Sequence, residues 1–339
     1  MLLSARMPPL TGFLEVPAVR MTPERIKESG ETLHGIVSGQ VLGTCDFPDE
    51  QRDQLLAQIR QRYGAGLQAV LIYGSYLRGK RDTLLDFYVL LDSYKSMPGA
   101  WQGWLAKALP PNVYQIHHGS PPDEIRAKYA LLTLDRFESA VRRDFHSYFW
   151  ARFAQPCGIL YCRDDSVRER VIQAICQSSV TFARRVVPLL PDQFEGKTIW
   201  TEGLGQTYRC EFRSEPPGHG EKLFEYWPEY YRAVSLAVAG PENGFETSGQ
   251  ADQYTNICSE STRRRSGSSW RLRRVQGKVL STLRIFKAAL TFDGALDYLL
   301  WKIQRHSGVY IEPTPLQQKH PMLFAWPLLF RLWRKGAFR

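Results

Sequence analysis

Apolar positions along this chain fall in short blocks of differing period. Between Gln68 and Ser93, two apolar runs, Ala69 to Tyr73 and Leu84 to Leu91, flank a polar segment from Arg78 to Thr83. Each run is too short for a helix and nearly unbroken in aliphatic and aromatic side chains, the mark of a strand buried on both faces. The first stops at Gly74-Ser75; the second carries Asp86 inside it and ends at Asp92. Gln51 to Tyr63 puts Leu55, Leu56 and Ile59 on one face and predicts a helix, with Asp49 near its start. Trp101 to Leu109 predicts a short amphipathic helix stopped by Pro110-Pro111. Val113 to His117, Lys128 to Thr133 and Gly158 to Cys162 predict further strands.

A helix is expected from Leu134 to about Phe153, capped by Asp135 or Thr133, and a long one from Ser166 to Leu190, ending before Pro191. In Ile199 to Arg213, the glycines Gly203 and Gly205 and the alternation after Thr207 predict a turn and a strand. Pro216 to Gly220 and Pro241 to Gly249 read as loops, and Ser261 to Ser269 as a basic, low-complexity hinge. The opening thirty residues, with Pro8, Pro9, Pro17 and Pro23, read as an irregular lead-in. No internal repeat is present.

At 339 residues the chain has room for two domains. Its net charge of +10 points to an anionic partner: a nucleotide, a nucleic acid or an acidic lipid surface. No apolar run approaches the ~18 residues of a spanning helix. The six cysteines, Cys45, Cys157, Cys162, Cys176, Cys210 and Cys258, form no Cys-x-x-Cys pair and read as reduced, mostly buried thiols. Met1 to Arg20 lacks the apolar core of a signal peptide, and Pro8-Pro9 interrupts any amphipathic presequence. The His117-His118 pair faces opposite ways on a strand and does not suit a metal.

Strand, Gly-Ser turn, basic segment and acid-bearing strand, in that order, suit nucleotidyl transfer. Gly74 lets backbone N–H groups approach phosphate oxygens, Ser75 adds a hydroxyl, and a carboxylate at Asp86 can hold Mg²⁺ against a triphosphate. The plainer alternative is a buried hairpin whose glycine only turns the chain. Such a strand ordinarily bears a second acid two residues on, on the same face; here that position is Tyr88. Asp92 shares the face, but at about 3.3 Å per residue it lies roughly 20 Å from Asp86 on a straight strand.

Four stretches, in order, resemble mitochondrial-type phosphatidate cytidylyltransferases, the translocator assembly and maintenance proteins. They are Tyr73-Gly74-Ser75 with Leu85-Asp86-Phe87 and Asp92; Lys128-Tyr129; Arg152 to Pro156; and Tyr208 to Arg213. The resemblance implies an α/β nucleotidyltransferase-like mixed sheet with helices, over residues 1–165. It further implies a smaller, mainly helical, winged-helix-like domain over 166–260 and a basic membrane-binding section over 261–339. The implied reaction joins CTP to phosphatidic acid with Mg²⁺, giving CDP-diacylglycerol and pyrophosphate. By position, Tyr73, Gly74 and Ser75 would cradle CTP, Asp86 would bind the metal with Asp92 as a further ligand, and Lys128 and Arg152 would neutralise phosphate. Glu211 and Tyr208 are secondary candidates. Tyr76-Leu77 stand where the family usually has Gly-Val.

Met322 to Arg339 places Trp326 and Trp333 beside Arg331, Arg334 and Lys335, a composition suited to a headgroup interface. The expected location is peripheral, on the cytoplasmic face of a bacterial inner membrane or the matrix side of a mitochondrial one. Other readings stay open: a nucleotidyltransferase acting on RNA or a small molecule, and a degenerate fold that only binds. No recognised nucleic-acid motif is present.

Overall fold

The computed structural model describes residues 32–43, 49–80, 84–97, 106–119, 125–211 and 218–291, with Gly103 and Arg334 besides. Two helices lead in, α1 (Leu33–Gly43) and α2 (Glu50–Tyr63). The Asp49 side chain caps α2 by accepting from the Arg52 N–H at 2.9 Å, and Gly64, at φ 50°, ends it. A mixed sheet follows, built from β1 (Leu67–Tyr73), β2 (Leu85–Leu91), β3 (Asn112–His118), β4 (Ile125–Thr133) and β5 (Gly158–Cys162). Its order is β3-β4-β2-β1-β5, with only β2 and β4 parallel. Both faces are covered, which is why the central strands read as unbroken apolar runs. The strands, α2 and its cap by Asp49 agree with the sequence pattern.

The expected helix from Leu134 to Phe153 is broken in two. Thr133 caps α3 (Leu134–Arg143), and α4 (Trp150–Phe153) is a single turn. Between them Asp144 takes both forks of Arg136, at 3.0 and 2.7 Å, and the Trp150 indole donates to the Asp144 carbonyl. These bonds hold a tight turn where propensity alone would continue the helix.

The long α5 (Asp165–Val186) begins at the expected boundary near Asp165, capped by Asp164. It packs against α3, α4 and β1, and also against α6 (Gly196–Tyr208) and α8 (Pro228–Val238). One apolar core runs through both halves. The second half also holds α7 (His219–Tyr226) and a small antiparallel sheet of β6 (Gln193–Glu195), β7 (Phe245–Thr247) and β8 (Gln253–Asn256). Gly220 thus lies in a helix, and the expected loop after Pro241 contains β7.

Two expectations fail for the same reason, tertiary packing overriding local composition. The segment expected as turn and strand after Ile199 is α6. A Cβ on Gly203 would lie 2.5 Å from the Phe182 ring, so this glycine serves the close approach of α5 and α6, where Phe182 stacks on Trp200 at 5.0 Å. The expected hinge, Ser261 to Ser269, lies inside α9 (Glu260–Thr291), a 32-residue helix. Trp270 is buried on the core, its indole N–H donating to the Arg185 carbonyl at 2.8 Å, and Arg273 Nε donates to the Phe145 carbonyl at 2.5 Å. Part of the basic charge near the C-terminus is therefore structural. Of the Met322–Arg339 section only Arg334 is described, and it is exposed; Trp326, Arg331, Trp333 and Lys335 lie outside the described residues.

Truncating Trp270 to Ala is expected to cost about 3–5 kcal/mol in chemical denaturation and to expose Arg263–Arg265 to trypsin, which a hinge would already allow in the wild type. Farther along α9, the buried Lys287 amine donates to the carbonyls of Leu109 and Pro111. Burial, aided by the nearby Arg284 charge, lowers its pKa from 10.5 to about 7. The unfolded chain then binds the extra proton between those values, so this group makes stability rise with pH from about 7 to 10.5. Denaturation midpoints across that range should rise less in Lys287→Met than in the wild type.

Candidate functional site

Register builds the site. Tyr73 on β1 pairs with Asp86 on β2, Asp86 with Lys128 on β4, and Lys128 with Gln115 on β3. Residues paired in register share a face, so these four side chains form one row across the sheet. The next row inward is Leu71, Tyr88, Ala130 and Val113, apolar apart from one phenol. Polar chemistry is thus confined to the end of the sheet where β1 gives way to Gly74.

Gly74 has φ 92° and lies directly against the acid: a Cβ there would be 2.9 Å from Asp86 Oδ2. Only glycine allows both the backbone angle and that approach. The chain then makes one 3₁₀ turn, Ser75–Arg78, whose Tyr76 and Leu77 side chains are buried in the core. Tyr76 and Leu77 therefore anchor the turn from beneath. Asp86 Oδ1 pairs with Lys128 Nζ at 2.9 Å, the acid's side chain 15% and the lysine's 35% exposed. This pair is sheltered on one side and open on the other.

Arg152, from α4, lies over the same face. Its guanidinium donates to the Tyr88 hydroxyl at 2.8 Å and stands 3.7 Å from Glu211. It also lies 5.2 Å from the ring centre of Tyr73 and 4.3 Å from that of Tyr148. Burial opposes its charge, but Tyr88, Tyr148, Tyr73 and Glu211 together outweigh burial and hold its pKa well above the ordinary guanidinium value. Burial likewise pushes the Tyr88 phenol well up. At Tyr148 burial acts the same way, yet Arg152 and Arg284 overcome it and bring that phenol below 10. Arg284, from α9, stands 4.1 Å from the Tyr148 ring centre.

The structure thus brings together Tyr73, Gly74, Ser75, Asp86, Lys128, Arg152 and Glu211. One candidate, Asp92, stands apart. Asp92 lies past the far end of β2, beyond the Leu91–Leu67 pairing, and accepts from the Ser93 N–H at 2.5 Å and the Ser96 hydroxyl at 2.7 Å. β2 runs unbroken to Leu91, so Asp92 cannot share an ion with Asp86; it shapes a turn. Tyr208 ends α6 and its ring meets His219 at 4.7 Å. Tyr148 and Arg284 were not among the expected site residues. No local signal marks them, since they reach the site through the turn after α3 and the docking of α9.

A solved nucleotidyltransferase-like protein from Exiguobacterium sibiricum is similar over 84% of this chain and 92% of its own, at 12% identity and a TM-score of 0.24. A likeness of that size carries no argument about activity. No protein-family model matches the chain, and no curated protein does.

Replacing Tyr88 by Phe removes the hydroxyl that the buried Arg152 donates to. The expected cost is about 1–3 kcal/mol, read from urea denaturation beside Tyr161→Phe, whose ring borders a surface cavity.

Proposed function

We propose that this chain is a nucleotidyltransferase that condenses CTP with a lipid phosphate, phosphatidic acid in the first instance, at an anionic membrane surface. The observation that carries the reading is the single row in which Gly74 adjoins Asp86 and Asp86 pairs with Lys128. In the proposed reaction a phosphate oxygen of the lipid attacks the α-phosphorus of CTP. The bond to the bridging oxygen breaks and pyrophosphate leaves with its electrons. A phosphate monoester is already ionised near neutral pH, so no histidine base is needed; catalysis is positioning and charge neutralisation.

Gly74 lets the triphosphate approach the backbone, and Lys128 can leave Asp86 for a phosphate oxygen. Arg152 is fixed by Tyr88 and can neutralise charge without reorganising. No group of three or more potential metal ligands occurs among the described residues. Asp86 supplies one carboxylate, which fits an ion held jointly with substrate phosphates rather than in a protein cage. Mg²⁺ bound there would neutralise phosphate charge. A membrane surface is supported by α9, where Leu272, Val275, Val279 and Leu283 are exposed on one side at helical spacing.

A second reading has its own support. The Tyr88–Arg152 bond occupies the position of the usual second carboxylate, as in a fold that binds a nucleotide without turning it over.

The test is CTP turnover with Mg²⁺ and phosphatidate vesicles. Wild type should form CDP-diacylglycerol, and Asp86→Ala should lose it by about 10²-fold or more. CTP binding without product in either would favour the binding fold or another acceptor. Absence of both CTP binding and product in the wild type would overturn the proposal.

A further inference from the structure

We propose that the cleft between the C-terminal turns of α3 and α5 is a second anion site, one that takes a phosphate-bearing ligand. It is independent of the Asp86 row and of the reaction assigned to it. The cleft holds about 360 Å³ and is lined by Arg142, Arg143, Gln177, Thr181, Arg184 and Arg185. That volume is of the size of small-ligand pockets.

Helix C-termini favour cations, so an arginine pair at either end alone is unremarkable in its placement. Here both pairs open on one cleft, and the neighbouring acids are engaged elsewhere. Asp144 pairs with Arg136 and His146, while Asp135 and Glu138 pair with Arg170. Arg142 and Arg143 are exposed and make no ion pair or side-chain hydrogen bond among the described residues. Four arginines and no carboxylate line the cleft, a lining complementary to a multiply charged anion.

The other pair is held ready. Arg184 Nε donates to Asn243 Oδ1 at 2.6 Å, and Arg185 donates to the Phe145 carbonyl at 3.2 Å with its guanidinium 5.1 Å from the Trp150 ring centre. Planar guanidinium forks match phosphate oxygens in pairs. Thr181, one turn back on α5, and Gln177, two turns back, are bonded to each other at 3.3 Å and add neutral polar groups. The turn that anchors Arg185 through Phe145 also carries Tyr148, so it separates this cleft from the Asp86 row.

The test titrates the full chain calorimetrically with inorganic pyrophosphate, without metal. It compares wild type, Arg142→Gln/Arg143→Gln and Arg168→Gln, an exposed arginine at the other end of α5. The expected result is a rise in Kd of about tenfold or more in the double variant, with the wild-type value kept in Arg168→Gln. A second arm measures binding to phosphatidylcholine vesicles with and without phosphatidic acid. Pyrophosphate binding lost in the double variant assigns a soluble phosphate. Phosphatidate-dependent vesicle binding lost in the double variant, without pyrophosphate binding, assigns a lipid headgroup. The proposal is overturned if neither probe separates the double variant from wild type, or if only a short RNA does so. Matching thermal melts exclude misfolding, which exposed Arg142 and Arg143 make a small risk.

Discussion

A buried guanidinium organises this protein. Arg152 enters the core from a helix of a single turn, and its charge survives there only because its surroundings are built around it: the Tyr88 hydroxyl, the rings of Tyr73 and Tyr148, and the Glu211 carboxylate. Each partner comes from a different element. Tyr73 and Tyr88 belong to adjacent strands, Tyr148 to the turn after α3, and Glu211 to the end of α6. An uncompensated buried charge would cost several kcal/mol, so these elements must meet in one arrangement. Tyr148 extends the constraint to α9 through Arg284. The site, the turn after α3 and the long C-terminal helix thus meet around one cation.

Local pattern was enough for whatever local pattern decides. The sheet strands, the cap of α2 by Asp49 and the start of α5 follow from apolar runs and capping residues, and the structure has them near the expected places. Gly74, Ser75 and Asp86 were singled out by the strand, turn and acid-bearing strand, whereas Tyr73 and Lys128 came in only through the resemblance; that they share one row with Asp86 is read from the register. What was not legible depends on distant contacts. Gly203 resembles a turn residue until Phe182 is seen against it. Ser261 to Ser269 resembles a linker until Trp270 and Arg273 are seen to anchor the helix that contains it. The break after Arg143 depends on Arg136 reaching Asp144, eight residues along.

The basic charge divides on the same principle. A net +10 describes the whole chain, but individual cations serve different ends. Arg273 and Lys287 are buried and bonded to carbonyls, so they hold α9 in place. Lys128 and Arg152 stand at the polar end of the sheet. Arg142 and Arg143 remain exposed and without partners among the described residues. An argument from overall charge to an anionic partner therefore cannot rest on Arg273 and Lys287, which have partners within the fold.

The same distinction bears on the single acid. With Tyr88 where a second carboxylate would stand, and Asp92 at the opposite end of β2, the site carries one carboxylate on the row beside Lys128, with Arg152 above it. Two acids gather divalent ions, whereas one acid among fixed cations leaves much of the positive charge to the protein itself. Fixed guanidinium and ammonium groups need no reorganisation when a phosphate arrives, but they cannot supply the close, directional coordination of an ion between carboxylate and phosphate. In the proposed reaction, chemistry at this row would lean on placement of the phosphate groups, which the open backbone at Gly74 and the fixed Arg152 would serve.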